Sequence, residues 1–249
     1  MQLSAAILTK NEEDNIKRCI KAVSFCDEII VIDDNSSDDT KKVAENLGAK
    51  VYQRYLGNNF SKQRNYALSK TKGKWILFVD ADEVVSEGLK TEIIQVVNNP
   101  LATFSGYYLK RQDVIWDKKL KYGESGNSKI LRLAKVDVGK FRRGVHEYWN
   151  IVGKTKTLNN TLFHYPHINL RSFIKNINHF SSLHARANLK EGKRSNLVKV
   201  IVWPPGKFFY NYFLKLGIFD GVIGFVVALM MSFHSYLSWS KLWIMQKEI

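Results

Sequence analysis

The stretch Trp75-Ile76-Leu77-Phe78-Val79-Asp80-Ala81-Asp82-Glu83 decides the fold of this chain. Its run of apolar residues predicts a strand buried on both faces, as in a parallel sheet covered by helices. The run ends at two carboxylates, Asp80 and Asp82, and an open α/β sheet binds its ligand outside the carboxyl ends of its strands. Hard oxygen ligands suit Mg²⁺ or Mn²⁺. The pattern therefore favours a metal–nucleotide site, with a solvated turn as the alternative.

Strands and helices alternate around this stretch. Further strands are predicted at Leu3–Leu8, Glu28–Ile32 and Val51–Tyr52. Helices are predicted between them, and Asn11 and Ser37 are expected to cap the first two. Strands that alternate with helices are typical of a parallel sheet covered on both faces, so an α/β fold is expected.

Four sequence motifs occur in order within residues 1–100. They are Thr9-Lys10-Asn11-Glu12-Glu13, Val31-Ile32-Asp33-Asp34-Asn35-Ser36-Ser37-Asp38-Asp39-Thr40, Gln63-Arg64-Asn65-Tyr66-Ala67 and Phe78-Val79-Asp80-Ala81-Asp82-Glu83. Together they resemble glycosyltransferase family 2. The resemblance implies a Rossmann-like GT-A fold, with a mixed, mainly parallel sheet flanked by helices. It also implies a nucleotide-sugar donor and inversion at the anomeric carbon.

Three later features resemble one bacterial branch of that family, the lipopolysaccharide-core β-glucosyltransferases. They are Arg142-Arg143-Gly144-Val145-His146-Glu147, His164 and Gly217-Ile218-Phe219-Asp220-Gly221. This looser resemblance implies a UDP-sugar donor such as UDP-glucose and a lipid-linked acceptor.

The family resemblance also implies a nucleotide pocket. It places Asp33 or Asp34 on the uracil, and Thr9 and Glu12 in the same pocket. Arg64 could add a fork of donors to the diphosphate. The alternative for the two aspartates is capping of the next helix, and the alternative for Arg64 is a solvent-exposed position on its helix.

A divalent cation held by Asp80 and Asp82 would neutralise the leaving diphosphate. By the resemblance, Asp82 is the more direct ligand and Asp80 lies nearer the ribose or the donor sugar. His164 is a candidate for a further metal ligand, because a histidine has this role in some GT-A enzymes. A packed histidine at a strand end is the alternative.

Inverting transfer needs one base, which removes the proton of the acceptor hydroxyl. Glu147 is the predicted base, because the neighbouring Arg142, Arg143 and His146 would keep it ionised. His146 is the second candidate for the base. The alternative for Glu147 is a surface pair with an arginine.

Charge is distributed unevenly along the chain. Residues 1–100 hold 14 Lys and Arg against 15 Asp and Glu, whereas residues 101–249 hold 24 against 8. Such a basic half favours an anionic partner, with solubility alone as the alternative. The sequence contains no aromatic-interleaved nucleic-acid motif, so an anionic membrane surface and a lipid-linked acceptor are the expected partners.

The segment from Gly221 to Ser240 contains no Asp, Glu, Lys or Arg. At about 1.5 Å per residue it is long enough for a hydrocarbon core of roughly 30 Å. A monotopic or re-entrant membrane helix is expected, with a spanning helix and a buried core or dimer helix as alternatives. Asn169 is expected to cap an earlier helix, whose apolar stripe fits core packing or a membrane-lying face: Leu170, Phe173, Ile174, Ile177, Phe180 and Leu183.

The sequence thus predicts two regions. Residues 1–165 form a catalytic domain, with nucleotide-sugar binding in 1–100 and acceptor binding and catalysis in 101–165; residues 166–249 form a helical membrane-association region. The expected function is metal-dependent inverting hexosyl transfer at the cytoplasmic face of the bacterial inner membrane, to an anionic glycan such as lipopolysaccharide core. A polyprenyl-phosphate glycosyltransferase is the nearest alternative. A non-catalytic basic membrane- or nucleic-acid-binding module is the alternative from a different class.

Overall fold

The computed structural model describes residues 1–99, 101, 103–126, 128–144, 147–166 and 169–248. These residues form two compact units. The first unit consists of Met1–Arg111 and Lys129–His164, and the second of Gln112–Ser128 and Tyr165–Ile249. The assignment of catalysis to residues 1–165 and of membrane association to residues 166–249 stays a prediction.

The strands are β1 Leu3–Thr9, β2 Glu28–Asp33, β3 Lys50–Gln53, β4 Trp75–Asp80, β5 Glu83–Val85, β6 Phe104–Ile115, β7 Lys118–Lys119, β8 Ser128–Lys135, β9 Gly139–Arg142, β10 Tyr148–Ile151 and β11 Lys154–His164. The helices are α1 Glu13–Ala22, α2 Thr40–Asn46, α3 Phe60–Lys70, α4 Glu87–Val97, α5 Gly123–Gly126, α6 Leu170–Lys190, α7 Leu197–Ile201, α8 Trp203–Phe209 and α9 Gly221–Met245. A π-helical turn lies at Tyr210–Leu214, and a 3₁₀ turn at Gly217–Asp220.

The main sheet runs in the order β3-β2-β1-β4-β8-β6-β11-β5. The strands β3, β2, β1 and β4 are parallel, whereas β8 joins β4, and β5 joins β11, in antiparallel orientation. The α/β class expected from the sequence, a mixed sheet flanked by helices, is therefore confirmed. The strand quoted at the outset is β4, and it lies inside the sheet with both neighbours paired.

Apolar side chains cover both faces of this sheet, which explains why β1 and β4 read as unbroken apolar runs. On one face, Ile16 and Cys19 of α1 and Leu89 and Ile93 of α4 pack against the strands. On the other face, Phe78 meets an aromatic cluster. The centres of the Phe141 and Trp149 rings lie 4.8 Å apart in a stacked arrangement, and both rings contact Phe78 edge to face. This aromatic cluster covers Phe78 on that face of the sheet.

The predicted caps of the first two helices are wrong. Helix α1 begins at Glu13 and α2 at Thr40, and neither has a side-chain cap. Asn11 instead has a φ of 52°, in the left-handed region that asparagine tolerates, and its Oδ1 accepts the Ser37 N–H at 2.8 Å. The two residues expected at separate helix ends thus join the loops that follow β1 and β2.

The second unit is built around α6 and α9. The predicted cap of α6 is confirmed: Asn169 and Ser172 form a reciprocal capping box. The predicted apolar stripe of α6 divides, with Phe173, Ile177 and Leu183 buried and Leu170, Ile174 and Phe180 exposed. The buried core of this unit includes Ile115, Leu120, Phe173, Ile177 and Val227.

Asp220 connects two segments of the second unit that are distant in sequence. Its buried carboxylate accepts the N–H groups of Lys121 at 3.2 Å and Tyr122 at 2.9 Å. Its carbonyl oxygen accepts from Lys118 Nζ. The motif Gly217–Gly221, which carried part of the bacterial resemblance, therefore holds the turn that follows β7.

Candidate active site

The carboxyl ends of β1, β2 and β4 lie side by side. In the sheet register Thr9 pairs with Asp33, and Leu8 pairs with Asp80. The sheet therefore brings the predicted nucleotide residues and the predicted metal carboxylates to one edge, where parallel strands present their ligand-binding loops.

Asp33 and Asp34 stabilise the loops at this edge. The buried carboxylate of Asp33 accepts the Ser36 N–H at 3.1 Å and also accepts the Ser36 hydroxyl. Asp34 accepts from Lys10 Nζ at 2.8 Å and from the Leu56 N–H at 2.7 Å. Neither carboxylate caps α2. The role of one of them on the uracil stays a prediction.

Thr9 and Glu12 lie on the loop that follows β1. The Thr9 hydroxyl is buried and has no hydrogen-bond partner among the described residues. Burial raises the pKa of Glu12 to about 7; the Asn15 hydrogen bond opposes this rise, and the charges of Asp82 and Asp38 add to it. The charge of Asp82 therefore acts on Glu12, so a nucleotide candidate and a metal candidate influence one another electrostatically.

Arg64 lies at the centre of the site. Its side chain is 2% exposed, because α3 packs on the sheet with its Ser61, Gln63, Arg64, Ala67 and Leu68 turned inward. Arg64 Nη2 donates to Asp80 Oδ1 at 2.9 Å, and its Nε donates to Glu147 Oε1 at 2.8 Å. One guanidinium thus joins the carboxylate at the end of β4 to the predicted base. The predicted diphosphate role of Arg64 stays a prediction, and its Nη1 has no partner among the described residues.

Arg132 completes this network and was not predicted. Its Nη2 donates to Asp80 Oδ2 at 2.9 Å, and its Nη1 lies 4.0 Å from Glu147 Oε1. Burial raises the pKa of Asp80, but Arg132 and Arg64 outweigh burial and hold that pKa well below its usual range. Asp80 is therefore a fixed anion. A sequence signal existed: arginine is almost never fully buried unless paired, and Arg132 interrupts an apolar strand.

Glu83 is a second buried residue that sequence reasoning left without a role. Its carboxylate accepts the Asp80 N–H at 2.9 Å and lies 3.6 Å from Arg111 Nη1. Burial and the charge of Asp80 raise the pKa of Glu83. Glu83 therefore fixes the turn that carries Asp80 and Asp82, and its position as the third acid of that motif was the available signal.

Asp82 and His164 form a pair at the same edge. Residue His164 at the end of β11 is in register with Glu83 of β5, and this places its Nε2 3.3 Å from Asp82 Oδ2. An octahedral ion with ligands at about 2.1 Å holds adjacent ligands roughly 3 Å apart, so this oxygen–nitrogen pair fits a divalent cation. No set of three His, Cys, Asp or Glu ligands converges within the described residues. Mg²⁺ commonly takes one or two carboxylates and completes its shell with water and substrate phosphates.

The basic residues that contact Glu147 are not the sequence neighbours that were expected to contact it. Within the described part of the chain, Glu147 forms ion pairs with Arg64 and Arg132. Arg142, which was expected to hold it, is exposed on β9. The second candidate for the base, His146, lies outside the described residues. The site therefore contains two linked clusters: the Arg64–Asp80–Arg132–Glu147 network and the Asp82–His164 pair.

Comparisons with known proteins identify the family of the chain. Residues 4–175 match the family model described as glycosyl transferase family 2. The chain is 30% identical over 258 residues to an uncharacterized glycosyltransferase of Rickettsia bellii, with 97% of this chain and 86% of the relative covered.

Two relatives have more specific names. The chain is 26% identical to LpsC of Rhizobium meliloti, a lipopolysaccharide core biosynthesis glycosyltransferase, with 98% of this chain and 92% of LpsC covered. It is 29% identical to the GalNAc(5)-diNAcBac-PP-undecaprenol beta-1,3-glucosyltransferase of Campylobacter jejuni, with 55% of this chain and 47% of the relative covered.

Proposed function

Because the chain belongs to glycosyl transferase family 2, and is therefore a glycosyltransferase, we propose that it transfers a hexose with inversion from a UDP-sugar such as UDP-glucose. The proposed acceptor is a lipid-anchored anionic glycan such as lipopolysaccharide inner core. The proposed location is the cytoplasmic face of the bacterial inner membrane.

The observation that carries this proposal is the Arg64 bridge between Asp80 and Glu147. A displacement with inversion needs the leaving group and the base on opposite sides of one carbon. The acceptor oxygen forms a bond to the anomeric carbon while the bond to the diphosphate breaks, and Glu147 takes the acceptor proton. Contacts with Arg64 and Arg132 support a fixed position of the Glu147 side chain relative to the end of β4.

Asp82 and His164 would hold the divalent cation, and Asp80 would lie beside it, on the donor side. Bound there, the ion would supply charge neutralisation to the leaving diphosphate. The buried hydroxyl of Thr9 and the carboxylates of Asp33 and Asp34 would contact the nucleoside. In this arrangement the chain's own residues orient the donor and position Glu147 through Arg64.

The identity of the acceptor is supported by relatives and by charge. The match to LpsC spans nearly the whole chain, and LpsC is named as a lipopolysaccharide core biosynthesis glycosyltransferase. Residues 165–249 hold eleven Lys and Arg against three Asp and Glu, which suits an anionic acceptor on an anionic membrane. The Campylobacter relative favours a second candidate, transfer to a polyprenyl-linked glycan, over about half of each chain.

The test is a donor and acceptor screen with the detergent-solubilised full chain and Mn²⁺. UDP-glucose and other UDP-hexoses are offered with truncated lipopolysaccharide, polyprenyl phosphate or a polyprenyl-linked glycan, and the labelled sugar in each product is counted. Sugar transfer to truncated lipopolysaccharide is expected, and the Glu147→Gln variant serves as the inactive control. Transfer to a polyprenyl acceptor alone would replace the proposed acceptor, and a folded chain that cleaves no donor would refute the activity.

A further inference from the structure

One face of α9 carries a row of exposed apolar side chains. We name it the α9 stripe, and it consists of Val222, Phe225, Leu229, Phe233, Tyr236 and Ile244. The first five recur at intervals of three or four residues, and Ile244 follows two turns later, so all six lie on one side of the helix. Val222 is 80% exposed and Leu229 46% exposed. Water-exposed apolar patches of this continuity usually mark an interaction site.

The opposite face of α9 is buried within the second unit. Its small and apolar residues Gly224, Val227, Ala228 and Leu242 are buried. Lys241, at the end of the uncharged run, turns to α6 and donates to the Asn178 carbonyl at 2.7 Å and to the hydroxyls of Ser181 and Ser182 at 2.8 Å. The α9 helix is therefore half embedded in protein and half exposed.

The segment before α9 continues the exposed apolar surface. Phe209, Phe213, Leu214 and Phe219 are exposed, and they lie in or beside the turns that connect α8 to α9. Lys215 Nζ lies 5.6 Å from the centre of the Tyr210 ring. Aromatic rings next to lysines suit the headgroup layer of a bilayer, where the rings contact acyl chains and the ammonium groups reach lipid phosphates.

We infer that the α9 stripe and the aromatic segment 209–219 dock in the plane of an anionic lipid leaflet, with α9 parallel to the membrane surface. The inference deepens the proposed membrane association and rests on it. An interfacial helix buries its apolar face about 5–10 Å into the boundary between headgroups and acyl chains and keeps its other face in contact with polar groups. The exposed face of α9 meets the first part of this description, whereas its opposite face packs on α6, so the second unit would dock through the α9 stripe with α6 on the side away from the lipid.

A spanning orientation conflicts with the contacts of α6. The segment Gly217–Met245, which comprises the 3₁₀ turn and α9, is long and apolar enough to cross a membrane. However, Phe173 and Ile177 of α6 pack with Val227 of α9 in one core. A spanning α9 would take α6 into hydrocarbon with its exposed Lys175 and Arg186, and a charged side chain near the bilayer centre costs about 2.5–3.5 kcal/mol or more.

The charge of the second unit favours lipid over a second copy of this chain as the partner that covers the α9 stripe. Residues 165–249 have a net charge of +8, from eleven Lys and Arg and three Asp and Glu. Two copies docked through this surface would bring like charges together. An anionic leaflet attracts each basic group near its surface with about 1 kcal/mol. The occupant with matching chemistry is therefore the anionic bilayer.

The first test uses flotation of the full chain with vesicles of phosphatidylglycerol and phosphatidylethanolamine. Val222→Glu with Leu229→Glu should lower the partition coefficient by ~10-fold or more, because two apolar contacts are replaced by charges. The matched control is Val152→Glu with Leu101→Glu in the first unit, where the two side chains are 80% and 83% exposed. The control should bind vesicles as the unsubstituted chain does. Equal binding by both double variants would overturn the inference.

The second test measures depth. Cysteines placed singly at Val222, Leu229, Tyr236 and Ile244 carry a fluorophore, and lipids brominated at known depths quench it. Burial raises the pKa of the native thiols Cys19 and Cys26, so both label slowly. An in-plane helix gives the four sites similar shallow depths. A spanning helix gives depths that pass through the bilayer centre, since residues 222–244 extend about 33 Å, and this result would refute in-plane docking.

Failure of this inference is distinguishable from failure of the proposed function. UDP-hexose cleavage by the detergent-solubilised chain is assayed on the same double variants, whose substituted residues lie outside the candidate active site. Cleavage that is retained together with lost flotation supports the docking surface. A chain that ignores vesicles but forms dimers, which Val222→Glu disrupts, would assign the α9 stripe to a second copy and overturn the lipid assignment.

Discussion

Arg64 donates from Nε to Glu147 at 2.8 Å, across 83 residues of sequence, while its Nη2 contacts Asp80 at 2.9 Å. A planar guanidinium can hold two carboxylates in fixed directions, whereas an ammonium acts as a single point charge. The geometry therefore makes Arg64 a positioning residue that couples the end of β4 to the predicted base.

Arg64→Lys should keep the charge but lose this double contact. Leaving one buried carboxylate without its partner costs about 3–5 kcal/mol when a pair is fully broken, so a loss of roughly 1–3 kcal/mol in the free energy of unfolding is expected for the lysine. The rate of sugar transfer should also fall in this variant, because Glu147 would no longer be held in a fixed direction. Urea unfolding in detergent measures the loss, and Arg142→Lys is the exposed control. A stability equal to that of the control would contradict the bridging role.

Glu147→Gln should leave UDP-hexose affinity nearly unchanged and depress the transfer step. Base catalysis contributes roughly 10²–10⁴-fold, and the amide retains the shape and one acceptor for Arg64. Transfer rate and nucleotide affinity, measured side by side, separate the two effects. A collapse of affinity with normal turnover of bound donor would make Glu147 a binding residue instead.

Asp82→Asn tests the cation. The amide removes a charge next to His164, and a loss of about 10²-fold or more in transfer is expected, comparable to removing one preorganised charge-stabilising group. Titration of Mn²⁺, followed by its electron paramagnetic resonance signal, should show weaker binding. Glu87→Gln, an exposed carboxylate at the start of α4, is the control. Full transfer by the unsubstituted chain in excess chelator would remove the metal from the proposed reaction.

Part of the fold could be predicted because its signal is local. The strands β1, β2 and β4 follow from apolar runs, and their predicted ends lie within one residue of the observed ones. The caps of α1 and α2 could not be predicted in the same way. Asn11 and Ser37 have the right chemistry for caps, but they bond to each other across 26 residues of sequence, and such a contact has no local pattern.

The sequence predicts which residue types lie at the candidate site but does not predict which partners they contact. The sequence places carboxylates after β4 and names Glu147, since these follow motifs. It does not show that Arg132 reaches Asp80, because that pairing depends on the antiparallel register of β8 on β4. It also treats Arg64 as a surface or phosphate-binding residue, because the amphipathic pattern of α3 is weak and its inward-facing residues are polar.

Asp220→Ala should destabilise the second unit. The change removes a buried carboxylate that accepts two backbone N–H groups, and each lost hydrogen bond to a charged group is worth about 1.5–3 kcal/mol. A lower unfolding temperature and faster proteolysis near Lys121 are expected. Asp117→Asn is the control, since that exposed residue has a φ of 63°, which asparagine adopts readily. An unchanged unfolding temperature in Asp220→Ala would show that the carboxylate does not hold the turn.

Glu12 should make stability depend on pH in a defined direction. Its pKa rises from an ordinary value of 4.5 to about 7, chiefly through burial. Between these values the folded chain holds a proton that the unfolded chain has lost, so the contribution of Glu12 to the free energy of unfolding falls as pH rises through this window.

The Glu12→Gln variant tests this expectation, because glutamine cannot ionise. It should match the unsubstituted chain near pH 4.5 and exceed its stability above pH 7 by an amount on the order of 2 kcal/mol, allowing for solvent screening. Urea unfolding at several pH values measures the difference, and Asp14→Asn, an exposed carboxyl in the same turn, controls for the loss of one negative charge. A stability difference that is the same at pH 4.5 and pH 8 would show that Glu12 does not titrate in this window.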